Sequence, residues 1–209
     1  MKYYILTQKE ERGCPRGKLN AVLYDTFYEK SEKIEYGYFP WYASQYPWKG
    51  EYQPFPLGLC LISKDRLYDF GIRRITNVFC VVSADFLEIC QSLKVDMQDY
   101  APIEVCSRKR KPITEKKYYA AVFKYKDVLE VADEGSSFIK DEYGHIVRIR
   151  SLKIRPDFTE HLFRFRGMVG SSNTFICSED FYHMAMEKDM KGVGFVPLAD
   201  AVWPSVFPI

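Results

Sequence analysis

The chain reads as an α+β protein, mostly antiparallel sheet, in which two similar strand–helix units recur. Short apolar or alternating runs bounded by Gly, Pro and Asn outnumber stretches with helical period. Two of these runs, NVFCVVSADFLEICQSLK from Asn77 and NTFICSEDFYHMAMEKDMK from Asn173, share one layout: an apolar strand, a Ser, a two-residue step containing Asp, then Phe. Finally, 209 residues with 47% hydrophobic and 28% charged side chains suffice for a full core. We therefore expect one domain over residues 1–209, with two related halves at approximately 1–100 and 101–209.

From the N-terminus, KYYILTQ at 2–8 and NAVLYDTF at 20–27 read as strands, parted by a loop in which Gly13, Pro15 and Gly17 break any regular pattern. The next segment, EYGYFPWYASQYPWKGEYQPFP from Glu35 to Pro56, carries nine aromatic rings. Its Pro and Gly content forbids a regular helix, yet rings at this density are costly to leave in water without a reason. Phe39, Tyr42 and Phe55 are expected to pack inward, with Trp41 and Trp48 partly exposed. LGLCLIS at 57–63 has the length and apolarity of a short buried strand.

In the first repeated unit Ser83 is placed to cap a helix, with Asp85 in its first turn and Phe86, Leu87, Cys90 and Leu93 as its apolar stripe. KKYYAAVFKYKDVLEVAD at 116–133 and SSFIKDEYGHIVRIRSLKIRPD at 136–157 follow as successive strands, with DEYG at 141–144 as a hairpin turn. Val147 and Ile149 share one parity while Leu152 and Ile154 share the other, so a bulge or bend is expected near Ser151. LFRFRG supplies another strand. In the second unit Ser178 and Asp180 repeat the cap and first-turn acid, and Phe181, Met184 and Ala185 repeat the stripe.

Several function classes are disfavoured. A net charge of +2 and a pI near 8.1 are too modest for a bulk nucleic-acid binder. The opening MKYYILTQKEERG has neither the length of apolar stretch nor the flanks of a secretory signal, and VFCVV is far too short to span a bilayer, so a cytoplasmic protein without membrane contact is expected. The six cysteines have no CxxC spacing and mostly lie in apolar runs, where a free thiol packs as a small hydrophobe. His145, His161 and His183 lack an HExxH or a His–Cys cluster. GMVGSS at 167–172 lacks the Lys-Ser/Thr ending of a P-loop, and no serine has a nucleophile-elbow context. No catalytic constellation, metal site or cofactor motif emerges, so an enzyme is not expected.

Two basic features remain. SRKRKPITEKK at 107–117 concentrates Arg108, Lys109, Arg110, Lys111, Lys116 and Lys117 against the single acid Glu115, and Pro112 marks it as a loop. It is either a solvated loop or a dock for an acidic or phosphate-bearing partner. Arg148 and Arg150 on one strand and Arg164 and Arg166 on another would share a sheet face if those strands pair; otherwise they keep an outer face soluble. An enzyme or a nucleic-acid-binding protein using the 107–117 loop is the alternative. Against nucleic acid, the basic and aromatic residues occupy separate segments and do not interleave as a stacking platform requires.

Certain segments together resemble a known group. They are the YYIL strand, GCPRGKLNAVLYDTFY, FPWY, the strand ending VVSADF, YYAAVF followed by VLEVADEGSSF, LFRF, and the closing TFICSEDFYHMAMEKDMKGVGFVPL. In this order they resemble the immunity proteins of bacterial polymorphic toxin systems, in particular immunity protein family 43 and the related family 11, over nearly the whole chain. The resemblance implies a cytoplasmic antidote that binds a cognate protein toxin domain and neutralises it without catalysis of its own. Inhibitors of this kind hold their targets with rigid amphipathic side chains, Trp, Tyr and Arg foremost. On that basis Trp41, Trp48 and Tyr46 are the expected anchors, and Arg108, Lys109, Arg110 and Lys111 the expected basic contacts. Arg148, Arg150, Arg164 and Arg166 form a secondary candidate surface.

Overall fold

A computed structural model describes residues 1–28, 54–166 and 174–203. In chain order the elements are β1 (Tyr3–Gln8), β2 (Ala21–Tyr24), β3 (Cys60–Ser63), β4 (Ile72–Arg74), β5 (Cys80–Ser83), α1 (Ala84–Ser92), β6 (Met97–Ser107), β7 (Tyr118–Phe123) and β8 (Tyr125–Asp127). They continue with α2 (Val128–Val131), β9 (Ser137–Lys140), β10 (Ile146–Ser151), β11 (Leu162–Arg166), β12 (Phe175–Ser178), α3 (Glu179–Glu187) and β13 (Val193–Pro197), then a 3-10 turn at Leu198–Asp200.

The class is broadly α+β, but the expected mostly antiparallel sheet is corrected: both large sheets are mixed. One has the order β13-β1-β12-β11-β8 and the other β2-β3-β6-β7-β5-β4, with β9 and β10 as a separate hairpin. Each large sheet contains one parallel pairing, β11 with β8 and β3 with β6. The connections explain this, because a parallel pair needs a long crossover. Between β3 and β6 the chain passes through β4, β5 and α1; between β8 and β11 it passes through α2 and the β9–β10 hairpin.

Alternation along the strands feeds three cores. On β5, Cys80 and Val82 face the first core and Val81 the second; on β7, Phe123 and Ala121 face the first and Ala120 the second. On β12, Phe175 and Cys177 face the first core and Ile176 the third. Strands buried on both faces read as continuous apolar runs, which is why CVVS and FICS carry no period-two signal. The first core joins both sheets to α1 and α3, whose Phe86 and Phe181 rings meet edge to face with centroids 5.3 Å apart.

The repeated units are built alike. Ser83 Oγ accepts from Phe86 N and Ser178 Oγ from Phe181 N, both at 3.2 Å, so each hydroxyl satisfies an otherwise orphaned helix donor. β5 and β6 flank β7 antiparallel to it, with α1 as their connection; β12 and β13 flank β1 in the same way, with α3 as theirs. The β-α-β topology thus extends past the residues in which the echo is visible.

Three local expectations change. VLEV is not strand: Asp127 and Glu130 form a reciprocal capping box that starts the short helix α2. The register of the β9–β10 hairpin shifts between Ile146 and Arg148 and again between Ile149 and Ser151, as a phase change requires. Val147, however, is 38% exposed, and the buried residues are Ile146, Ile149 and Leu152. Three-residue spacing on a two-residue element needs an extra residue at each step, and the two shifts supply them. Finally, β10 pairs with β9 and β11 with β12 and β8, so Arg148 and Arg150 share no sheet with Arg164 and Arg166.

Candidate functional site: a basic end of the six-stranded sheet

The 107–117 loop grows out of β6 and is tightly built. Ser107 N donates to Lys111 O at 2.8 Å, Arg110 N donates to Ser107 O at 2.9 Å, and Lys111 N donates to Ser107 Oγ at 3.2 Å. Arg110 takes a left-handed conformation, φ 53°, to close the turn. Beyond it Ile113 is buried, and its carbonyl accepts from Tyr68 N at 3.2 Å, pinning the loop to the segment after β3. The turn itself, residues 108–112, is exposed throughout.

Within the turn the cations differ. Arg110 lies 3.4 Å from Glu104 and 5.1 Å from the Phe27 ring centroid; the Glu104 carboxylate raises its pKa further. Arg108, Lys109 and Lys111 have no side-chain partner among the described residues. Lys116 is engaged, its Nζ 2.5 Å from Asp69 Oδ1, where that oxygen lacks hydrogen-bond alignment; the contact is a close ion pair.

The parallel pairing enlarges this cluster. Ser63 and Ser107 are Cα partners on β3 and β6, so the chains leave the sheet side by side, roughly 5 Å apart. Lys64 and Arg66 therefore emerge next to Arg108. β2 begins at the same end, because Ala21 pairs with Ser63, and places exposed Lys18 there. Asp65, the acid between Lys64 and Arg66, accepts from the Tyr68 hydroxyl at 2.9 Å. Between residues 66–69 and 112–116 lies an open groove of about 570 Å³, walled by Leu67, Pro112 and Ile113 over Tyr68, with Arg66 on one lip. Lys18, Lys64 and Arg66 were missed by sequence reasoning, since only a pairing between distant strands brings them to the loop.

The other expected site residues scatter. Trp41, Tyr46 and Trp48 lie outside the described residues, as do Phe39, Tyr42 and the 167–172 loop; Phe55 packs inward as expected, 5.5 Å from Phe79. Arg148, Arg150 and Arg166 are exposed. Arg164 corrects the outward reading: it is 0% exposed. Its Nη2 donates to Asn77 O at 2.8 Å and Nη1 to Val78 O at 3.3 Å, while the guanidinium stacks over Tyr125 at 4.4 Å and Phe175 at 5.2 Å. A cation on a doubly covered strand must find acceptors internally, and Nη1 and Nη2 do so by tying β11 to the turn before β5.

One Ser–His contact bears on catalysis. His161 Nδ1 lies 2.8 Å from Ser178 Oγ and 3.6 Å from Asp180 Oδ2. A catalytic relay needs the two ring nitrogens to face base-orienting acid and nucleophile separately, whereas here one nitrogen faces both. Ser178 is also fully buried and accepts the Phe181 amide, so the arrangement is a braced helix cap. Among the described residues, no group of three or more His, Cys, Asp or Glu is placed to hold a metal, and no helix is long and apolar enough to cross a membrane.

No curated protein matches the chain. The sequence profile of the family described as Immunity protein 43 matches residues 6–207 of the 209. With the match running from β1 through the last described strand, the chain belongs to the Immunity protein 43 family.

Proposed function

We propose that the protein is a cytoplasmic immunity protein that binds a cognate bacterial toxin domain and neutralises it by occupying it, with no catalysis, metal or cofactor of its own. The observation that carries this reading is the family match over 6–207. The exposed turn at 108–111, with three cations left to an outside partner, gives it a place to act. The basic turn steers an acidic toxin surface, and Trp41, Tyr46 and Trp48 supply rigid anchors. Exposed charges change association rate more than final affinity, and desolvated rings act on dissociation. Arg148, Arg150 and Arg166 form a second exposed surface, from which buried Arg164 is now excluded.

Binding kinetics against the toxin domain encoded beside this gene test the reading. Trp48→Ala is expected to speed dissociation, at a cost of about 2 kcal/mol or more. Neutralising Lys109 and Arg110 together is expected to slow association, with a smaller effect at high salt. If both variants fold normally and bind like the parent, this surface assignment is wrong. A parent protein that neither binds that toxin nor protects cells from it refutes the immunity function itself.

A further inference from the structure

We propose that the groove between residues 66–69 and 112–116 seats an apolar side chain of an acidic toxin segment, whose carboxylates lie along Arg66, Lys64 and the 108–111 turn. This rests on the immunity reading and adds the partner's chemistry and the residues that receive it.

The groove has the character of an anchor site. Its volume of about 570 Å³ admits a large side chain, and part of its lining is apolar: Leu67 is 39% exposed, with Pro112 beside it and Ile113 and Tyr68 beneath, among charged Arg66, Asp69, Glu115 and Lys116. It is also preformed. The Tyr68 amide donates to Ile113 O at 3.2 Å across the groove, and the Tyr68 hydroxyl is held by Ser63 Oγ at 2.6 Å and Asp65 Oδ2 at 2.9 Å. Walls fixed before binding cost no ordering when a partner arrives.

Charge sets the partner and its direction. On one side stand Arg66, Lys64, Arg108, Lys109 and Lys111, brought together by the parallel β3–β6 pairing and lacking side-chain partners among the described residues. Farther along the groove stand exposed Glu115 and the closed Lys116–Asp69 pair, which bridges the two walls, so these lining residues offer no unpaired cation, and exposed Lys117 lies just beyond the lining. An acidic segment is thus drawn to the Arg66 side and repelled from the Glu115 side, and an apolar residue between its carboxylates falls into the groove. Complementary potentials of this kind fix orientation as well as encounter rate.

The test measures association and dissociation rates of the full-length protein with the toxin domain encoded beside its gene, for the parent, Leu67→Asp, Arg66→Glu and the remote exposed control Lys140→Glu. Leu67→Asp is expected to raise the dissociation rate about tenfold or more, as loss of a seated anchor would. Arg66→Glu is expected to slow association several-fold, and the deficit should shrink in about 0.5 M salt. Lys140→Glu should match the parent. If Leu67→Asp and Arg66→Glu both melt like the parent and bind the toxin like the parent, the groove is not the seat, while the immunity function stands. If Lys140→Glu slows association as much as Arg66→Glu, the effect is one of net charge and the proposed orientation is overturned. A parent that fails to bind the toxin at all removes both conclusions.

Discussion

Replacing Arg73 with Met should destabilise the protein strongly, whereas the same change at its neighbour Arg74 should be neutral or stabilising. Arg73 is 0% exposed and spends its guanidinium on four carbonyls. Nε donates to Pro15 O at 2.6 Å, Nη1 to Ile72 O at 2.7 Å and Gly192 O at 2.9 Å, and Nη2 to Lys9 O at 3.1 Å. Gly192 O also accepts from Lys9 N at 3.0 Å, so it keeps a partner without the arginine. Ile72 O, Pro15 O and Lys9 O would be left without theirs, and three orphaned acceptors at about 1–3 kcal/mol each give a loss of about 3–9 kcal/mol. Arg74 is the reverse case: its Nε and Nη1 are buried without an acceptor, and burial, with the nearby Arg164 charge, pulls its pKa down. Removing a buried charge that lacks its bonds removes the desolvation cost it carries on folding, and Met fills most of the space. A change between zero and a gain of about 1–4 kcal/mol is expected there. Urea denaturation of the two variants, with slopes equal to the parent's, gives both numbers directly. An Arg73→Met variant within about 1 kcal/mol of the parent, or an Arg74→Met variant that loses more than about 2, would refute hydrogen-bond satisfaction as the deciding variable.

Ser83→Ala and Ser178→Ala should each cost about 1 kcal/mol, read from urea midpoints, because each removes the acceptor for a buried helix amide. Ser178→Ala also removes the 2.8 Å contact with His161 Nδ1, so its loss should be the larger of the two, and a smaller loss at Ser178 than at Ser83 would contradict this. Glu11 titrates below the usual glutamate value of 4.5, chiefly through its bond with Lys9 and then the Gly192 amide. Its folded pKa is depressed, so its contribution is full above about 4.5 and is lost as the pH falls through the folded value. Glu11→Gln should therefore lower stability at neutral pH and lose less than the parent on acidification to about pH 3; identical pH profiles would rule this out.

Local chemistry was legible wherever the determining residues are neighbours in sequence. Ser83 and Ser178, with their first-turn acids, announce their helices because a cap is read within four residues. β6 escaped notice although it is the longest strand among the described residues. Its first part, Met97–Ile103, alternates half-buried with exposed residues and carries Pro102 where β3 no longer pairs with it, so neither an apolar run nor an uninterrupted strand pattern marks it. The arginines failed for another reason. Sequence reasoning assigns Arg to solvent, and only the placement of carbonyls from distant segments makes Arg73 and Arg164 interior residues. The basic end was half legible: the 108–111 run is contiguous, but its union with Lys64 and Arg66 exists only through a parallel pairing across more than forty residues.

The burial of all six thiols turns the protein into its own opening gauge. Cys14 sits in one core and Cys80, Cys90 and Cys177 in another, while Cys60 and Cys106 face each other at 3.4 Å across the β3–β6 pair. Burial lifts Cys80 to about 11 and Cys90 and Cys177 well above 9, so the reactive thiolate is scarce while the chain is folded. An alkylating reagent therefore records excursions in which a core or the β3–β6 pair opens, each adduct naming the place that opened. Peptide mapping after timed exposure would rank the first core, the second core and the β3–β6 pair by how often they open, with no dye, tag or mutation introduced.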